Sequence, residues 1–150
     1  MGLRIMLDLS FEIISEDKIE LEILHGFEPE FCEHDRNKFS DELYSKICDH
    51  AIFLVAKSDE KIVGYCAFYA NDIVNRVAYV SLIAVKKDKQ GLGLGDAMLD
   101  EVIRISRLQK MKFLVLEVDK TNLRALTFYE KMGLSIYDEN ANSYYLKKPI

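Results

Sequence analysis

The stretch QGLGLG, Gln90-Gly91-Leu92-Gly93-Leu94-Gly95, joins an apolar run, YVSLIAV at 79–85, to a run with helical spacing, DAMLDEVIRISRL at 96–108. Three glycines thus alternate with other residues at the seam of a strand and a helix. The first turn of a helix leaves about four backbone N–H groups without intrahelical partners, and the dipole adds roughly half a positive charge there. Glycines at 91, 93 and 95 keep side chains away from that end, which suits the approach of an anion. Glycine also serves tight turns, so the loop alone leaves an anion seat and a structural turn both open.

Two familiar phosphate loops fit poorly. A dinucleotide fingerprint needs G-x-G-x-x-G inside a strand–helix–strand unit, with an acidic residue about twenty positions on. The spacing here is G-x-G-x-G; Glu117 lies at about the right distance, but three strands of antiparallel pattern precede the loop. The other loop requires Gly-Lys followed by Ser or Thr, which is absent.

Outward from the loop, the elements alternate. Residues 11–15 read as a strand, 16–24 as a helix, 25–38 as irregular, and Ser40 as the cap of a helix reaching Cys48. Residues 51–57 and 62–71 read as a hairpin of buried strands, with 76–86 as a third strand. The helix at 95–108 stacks Leu99, Val102, Ile103 and Ser106 on one side, and 112–119 is a strand apolar on both faces. Thr121 or Asn122 caps a helix at 123–132 that ends at Gly133 in a left-handed cap, and 134–138 with 143–148 close as an antiparallel pair. The outcome is an α/β (α+β) chain with a mixed sheet and helices packed on it.

The 150 residues, 49% hydrophobic and 30% charged, suit one ordinary domain over 1–150. Arg4, Asp8 and Glu12 interrupt the apolar start, so neither a signal peptide nor a membrane span is expected, and the cytoplasm is the expected location. The three cysteines form an odd set without export features, hence reduced thiols. Cys32 with His34, and Cys48 with His50, stand closer than the usual zinc pairs, and no metal is expected. The net charge of -5 is uneven, with thirteen acids against five bases in residues 1–50. That end repels nucleic acid and favours cations.

On the residues 90–95, directly after an apolar strand, the chain resembles the GNAT superfamily of acyl-CoA N-acyltransferases, whose signature is Q/R-x-x-G-x-G/A. A second signature follows: LEVDKTNLRALTFYEKMGL at 116–134 resembles L-x-V-x-x-x-N-x-x-A-x-x-x-Y-x-x-x-G, with Asn122, Ala125, Tyr129 and Gly133 in register. The resemblance spans about residues 10–148. It implies a mostly antiparallel central sheet of six or seven strands, about four flanking helices, and a splayed strand pair that receives acetyl-CoA as cosubstrate.

It also implies roles. The coenzyme pyrophosphate belongs on the backbone of Gly91, Leu92, Gly93, Leu94, Gly95 and Asp96, with Gln90 leading into the turn. The pantetheine arm belongs along Ile83, Ala84 and Val85, where a backbone N–H at Val85 faces the oxyanion. Lys86, Lys87 and Lys89 can meet the nucleotide phosphates, although exposed lysines each add little.

Transfer to an amine needs a base, because at pH 7 an alkyl amine of pKa near 10 is neutral in roughly one molecule in a thousand, worth about 4 kcal/mol. It also needs an acid for the departing thiolate. Tyr129 is the candidate acid; it stands seven residues after Asn122 on the same helical face, and Asn122 is a cap, a coenzyme ligand, or both. Many relatives carry a glutamate on the strand before the glycines, whereas here Tyr79 and Ser81 are its polar groups. Glu117 on the next strand, a carboxylate among apolar neighbours, is a candidate base whose position resembles that in ribosomal-protein N-terminal alanine acetyltransferases. A water chain through Ser81 or Tyr79, and a structural carboxylate, stay open beside it.

Acceptor choice in the family lies in the first helices, and here Phe27, Glu28, Glu30 and Phe31 suit a cationic amine with an apolar body. An amino sugar, a polyamine, another small amine or a peptide N-terminus all fit, on a monomer or homodimer. The alternative is a non-catalytic module of the same fold that binds acyl-CoA or a partner.

Overall fold

The computed structural model describes residues 8–14 and 49–150. Seven strands form one sheet: β1 (Leu9–Ile14), β2 (Ile52–Ser58), β3 (Lys61–Asp72), β4 (Val77–Val85), β5 (Phe113–Asp119), β6 (Ser135–Glu139) and β7 (Ser143–Pro149). Their order across the sheet is β1-β2-β3-β4-β5-β7-β6. Two helices lie among the described residues, α1 (Leu94–Leu108) and α2 (Leu123–Lys131). The helices expected at 16–24 and 40–48 fall outside the described residues. Among the described residues no helix is long and apolar enough to cross a membrane.

Every neighbouring pair runs antiparallel except β4 and β5. Helix α1 carries the chain from the end of β4 back to the start of β5, so those two strands must run the same way. The β4–β5 ladder covers Val77↔Phe113 to Val80↔Leu116 and no further. Beyond it, β4 continues to Val85 bonded to β3, and β5 continues to Asp119 bonded to β7. The two strands therefore splay, leaving a gap between their C-terminal halves.

A bulge in β4 governs what faces that gap. The β3–β4 ladder passes from Phe68↔Val80 to Ala67↔Leu82, so Ser81 has no opposite number. One extra residue reverses the alternation of side chains. Ala78 and Val80 accordingly join the core beneath α1 and α2, whereas Leu82 and Ala84 join a second cluster on the opposite face with Phe53, Val55 and Tyr65. Lys86 N–H donates to Val63 O at 2.8 Å. Alternate residues of an antiparallel strand turn their main-chain groups to opposite sides, so Ile83 and Val85 turn theirs away from β3 and into the gap.

Helix α1 starts at Leu94, one residue before the expected start, and buries Met98, Leu99, Val102, Ile103 and Ser106. These sit three and four apart, the spacing that places one helical stripe on a sheet. Helix α2 ends at Lys131; Gly133 has φ +93°, and Leu134 N–H donates to Tyr129 O at 3.0 Å, closing the last turn as a left-handed cap does. The side chain of Asn122 is the cap of α2, accepting from Ala125 N–H at 3.2 Å. Thr121, the other candidate, bonds instead to the Asp119 carboxylate through its amide and hydroxyl.

Candidate active site

The glycine turn opens on the gap. Gly91 and Gly93 have φ of +78° and +82°, the left-handed region that side chains other than glycine's adopt only with strain. A Cβ on either would meet no atom within 4 Å. The glycines are thus held by backbone conformation, and the space beside them is open to a ligand. Gly93 is the N-cap of α1 and provides no side-chain cap, so the first-turn N–H groups keep their capacity for an incoming acceptor.

Neighbouring residues fix the turn in place. Gln90 Nε2 donates to Val85 O at 3.0 Å, pinning the loop to the end of β4. Leu94 is buried in the core, and Leu92 is half-buried. Gly95 differs from the other two: a Cβ there would lie 3.3 Å from Phe128 Cζ. Its missing side chain lets α1 approach α2 closely. Asp96 is exposed in the first turn of α1. Lys87–Lys89 forms one short 3₁₀ turn between β4 and the glycines, with Lys86 immediately before it.

Along the gap, Ile83 and Val85 offer main-chain groups, while the Ala84 side chain is buried on the far face. Asn122 and Tyr129 lie on α2. Asn122 is half-buried with its oxygen engaged in the cap, and Tyr129 is 7% exposed within the core cluster that includes Leu116 and Val118. The Phe128 ring meets the Tyr129 ring edge-on at 5.2 Å.

Glu117 is on the other side of the sheet. Leu114, Leu116 and Val118 point toward the helices, so Val115, Glu117 and Asp119 point away. Around Glu117 the register gathers tyrosines. Tyr69 pairs with Tyr79, Tyr79 with Val115, and Glu117 with Tyr145. Burial pushes the Tyr79 phenol up to about 12, helped by the Glu117 carboxylate and then by Tyr145, Tyr137 and Tyr69. Burial also raises Tyr69, whose hydroxyl is buried and has no hydrogen-bond partner among the described residues. Lys147 completes the patch: its ammonium lies 4.2 Å from the Phe113 ring centre and 5.7 Å from that of Tyr137.

Sequence reading brought Tyr79 forward but missed Tyr69, Tyr137 and Tyr145. They sit on three different strands, and only the register unites them. Phe27, Glu28, Glu30 and Phe31 lie outside the described residues, as do Cys32, His34 and Cys48. Among the described residues no group of three His, Cys, Asp or Glu could hold a metal. Cys66 is buried in the core, and desolvation pushes its thiol up, away from reactivity.

A sheet that splays at a parallel pair, with a bare glycine turn opening a helix beside the gap, defines the acyltransferase class of α/β folds that the sequence resembles. Residues 19–134 match the Acetyltransferase (GNAT) family, and the chain belongs to that family. Over 96 residues it is 28% identical to a Bacillus subtilis (strain 168) protein that carries the provisional name ribosomal protein bS18-alanine N-acetyltransferase, covering 63% of this chain and 62% of the relative. Over 82 residues it is 35% identical to an uncharacterised N-acetyltransferase of Methanocaldococcus jannaschii, covering 54% and 51%. The matches thus span less than two thirds of either relative. Among solved structures, the PaiA N-acetyltransferase of Thermoplasma acidophilum in complex with coenzyme A superposes with a TM-score of 0.78 at 18% identity, over 96% of this chain and 100% of that one. The ribosomal-protein-S18-alanine N-acetyltransferase of Escherichia coli gives 0.77 at 18% identity, over 95% and 94%. At these identities the likeness is one of fold.

Proposed function

We propose that the chain transfers an acetyl group from acetyl-CoA to a primary amine, by direct attack while both are bound. The observation that carries this is the turn at Gly91 and Gly93: left-handed, open above, uncapped by any side chain, and tied by Gln90 to the strand end that borders the gap. The residues fit the coenzyme. Backbone N–H groups at 91–96 suit a pyrophosphate, and the outward main chain of Ile83 and Val85 suits an extended amide-bearing arm. Acetyl-CoA, when bound, supplies an activated thioester.

The chain's own groups divide the remaining work. Val85 turns its N–H into the gap, where charge develops on the carbonyl oxygen under attack. Tyr129, on the helix face, donates a proton to the departing sulfur. Glu117, on the opposite face, takes the proton of the incoming amine. Tyr79 stays a phenol far above neutral pH, so it serves as a donor or relay beside Glu117 and not as the resting base. The acceptor is a small amine or a protein N-terminus, as in the relatives named for alanine acetylation.

A non-catalytic acyl-CoA-binding module is the second reading, favoured by the absence of an acidic residue on β4. Thiol release from acetyl-CoA over a panel of an amino sugar, a polyamine and an alanine-terminated peptide separates the two. Amine-dependent release supports transfer. Binding of acetyl-CoA without release from any amine supports the module.

A further inference from the structure

We infer that Lys147 selects acceptors by charge, admitting an amine carried on an uncharged body to the tyrosine patch around Glu117 and turning away one that bears a second ammonium nearby. The inference rests on the transferase reading and narrows its acceptor. Tyr69, Tyr79, Glu117, Tyr145 and Lys147 all lie on the sheet face away from α1 and α2, because their neighbours along the strands, Phe68, Val80, Leu116 and Leu146, belong to the core on the helix side and successive residues of a strand alternate faces. This face accommodates ammonium groups: it already holds that of Lys147 over Phe113 and beside Tyr137. Ring faces attract a cation through their quadrupole, and phenol oxygens accept its hydrogen bonds.

Glu117 and Lys147 are diagonal neighbours across the β5–β7 ladder, since Glu117 pairs with Tyr145 and Val115 with Lys147. Such positions are about 7–8 Å apart, within reach of long side chains. The two nevertheless form no ion pair among the described residues; Lys147 leans on the rings, and Glu117 is left facing the phenols. An acceptor ammonium can therefore pair with Glu117. A second ammonium a few bonds away would meet Lys147 in a partly desolvated patch, where like charges repel more strongly than in water. Polyamines are disfavoured, and peptide N-termini with a neutral second residue, or amines on neutral bodies, are favoured.

The test uses two matched pairs with saturating acetyl-CoA: butylamine against putrescine, and an Ala-Ala peptide amide against Ala-Lys. The wild-type protein is expected to prefer the singly charged member by about tenfold in kcat/KM. Lys147→Glu should reduce or invert that ratio, chiefly through KM of the doubly charged member, and Lys147→Gln should fall between. Lys147→Gln keeps the test usable if charge reversal disturbs folding. A ratio unchanged in both variants, with turnover present, overturns the inference alone. No turnover on any of the four acceptors by the wild-type protein, with acetyl-CoA bound, overturns the inference together with the transferase reading.

Discussion

Glu117 and Tyr129 lie on opposite faces of one sheet, beside the strands β4 and β5 where these part. Neighbouring Leu116 and Val118 share the core with Tyr129, while Glu117 between them faces the tyrosine patch. On the proposed reading, the amine arrives from the Glu117 side and the thiol leaves toward the Tyr129 side. Proton acceptor and proton donor then never compete for one position.

Tyr129→Phe removes the phenol and keeps the ring in the core. Turnover is expected to fall by roughly 10²–10⁴-fold, the usual worth of a positioned acid, with acetyl-CoA affinity little changed. Unchanged turnover where chemistry limits the rate removes Tyr129 from the mechanism.

Glu117→Gln keeps shape and loses the base. The fraction of neutral amine drops about tenfold for each unit of pH below the amine pKa, so the defect should widen toward acid. A pH–rate profile that is merely lowered by a constant factor assigns Glu117 a structural role.

Tyr79 offers a test in the alkaline range. Its folded value is about 12 against an ordinary 10, so above pH 10 the unfolded chain loses this proton while the native protein keeps it. The native state then binds more protons than the unfolded state, and stability falls as pH rises from about 10 to about 12. Below pH 10 the contribution is fully present. Tyr79→Phe should flatten that part of the stability curve in urea titrations; an identical slope in both proteins contradicts the burial of this phenol beside Glu117.

Ser106 is fully buried in α1, and its hydroxyl has no partner among the described residues. Burying an unmatched hydroxyl costs about 1–3 kcal/mol, and alanine is the better helix former. Ser106→Ala is expected to stabilise by about 1 kcal/mol, which is ~3 °C in Tm for a chain of this size. A lower Tm shows that the hydroxyl is bonded.

Much of this arrangement is legible in the residues. Apolar alternation and turn residues mark all of the described strands to within a residue or two, and QGLGLG marks the seam. The face reversal at Ser81 is not legible, because burial keeps alternating through the bulge and only pairing with β3 reveals the change. Gly95 reads like Gly91 and Gly93, yet its neighbour Phe128 lies far along the chain and is met only after folding. The insertion of β7 between β5 and β6, which sets Tyr145 opposite Glu117, is likewise a matter of long-range pairing.

The central claim is that bare main-chain donors at the start of α1 hold the coenzyme. Calorimetry of acetyl-CoA against the wild-type protein and Gly93→Glu tests it most directly, with circular dichroism as the check on folding. A glutamate there brings bulk, negative charge and a strained left-handed backbone to the open side of the turn. Saturable binding to the wild-type protein and a loss on the order of a hundredfold, about 2.7 kcal/mol, in a folded variant is the expected result. Equal affinity in the two proteins would contradict the account.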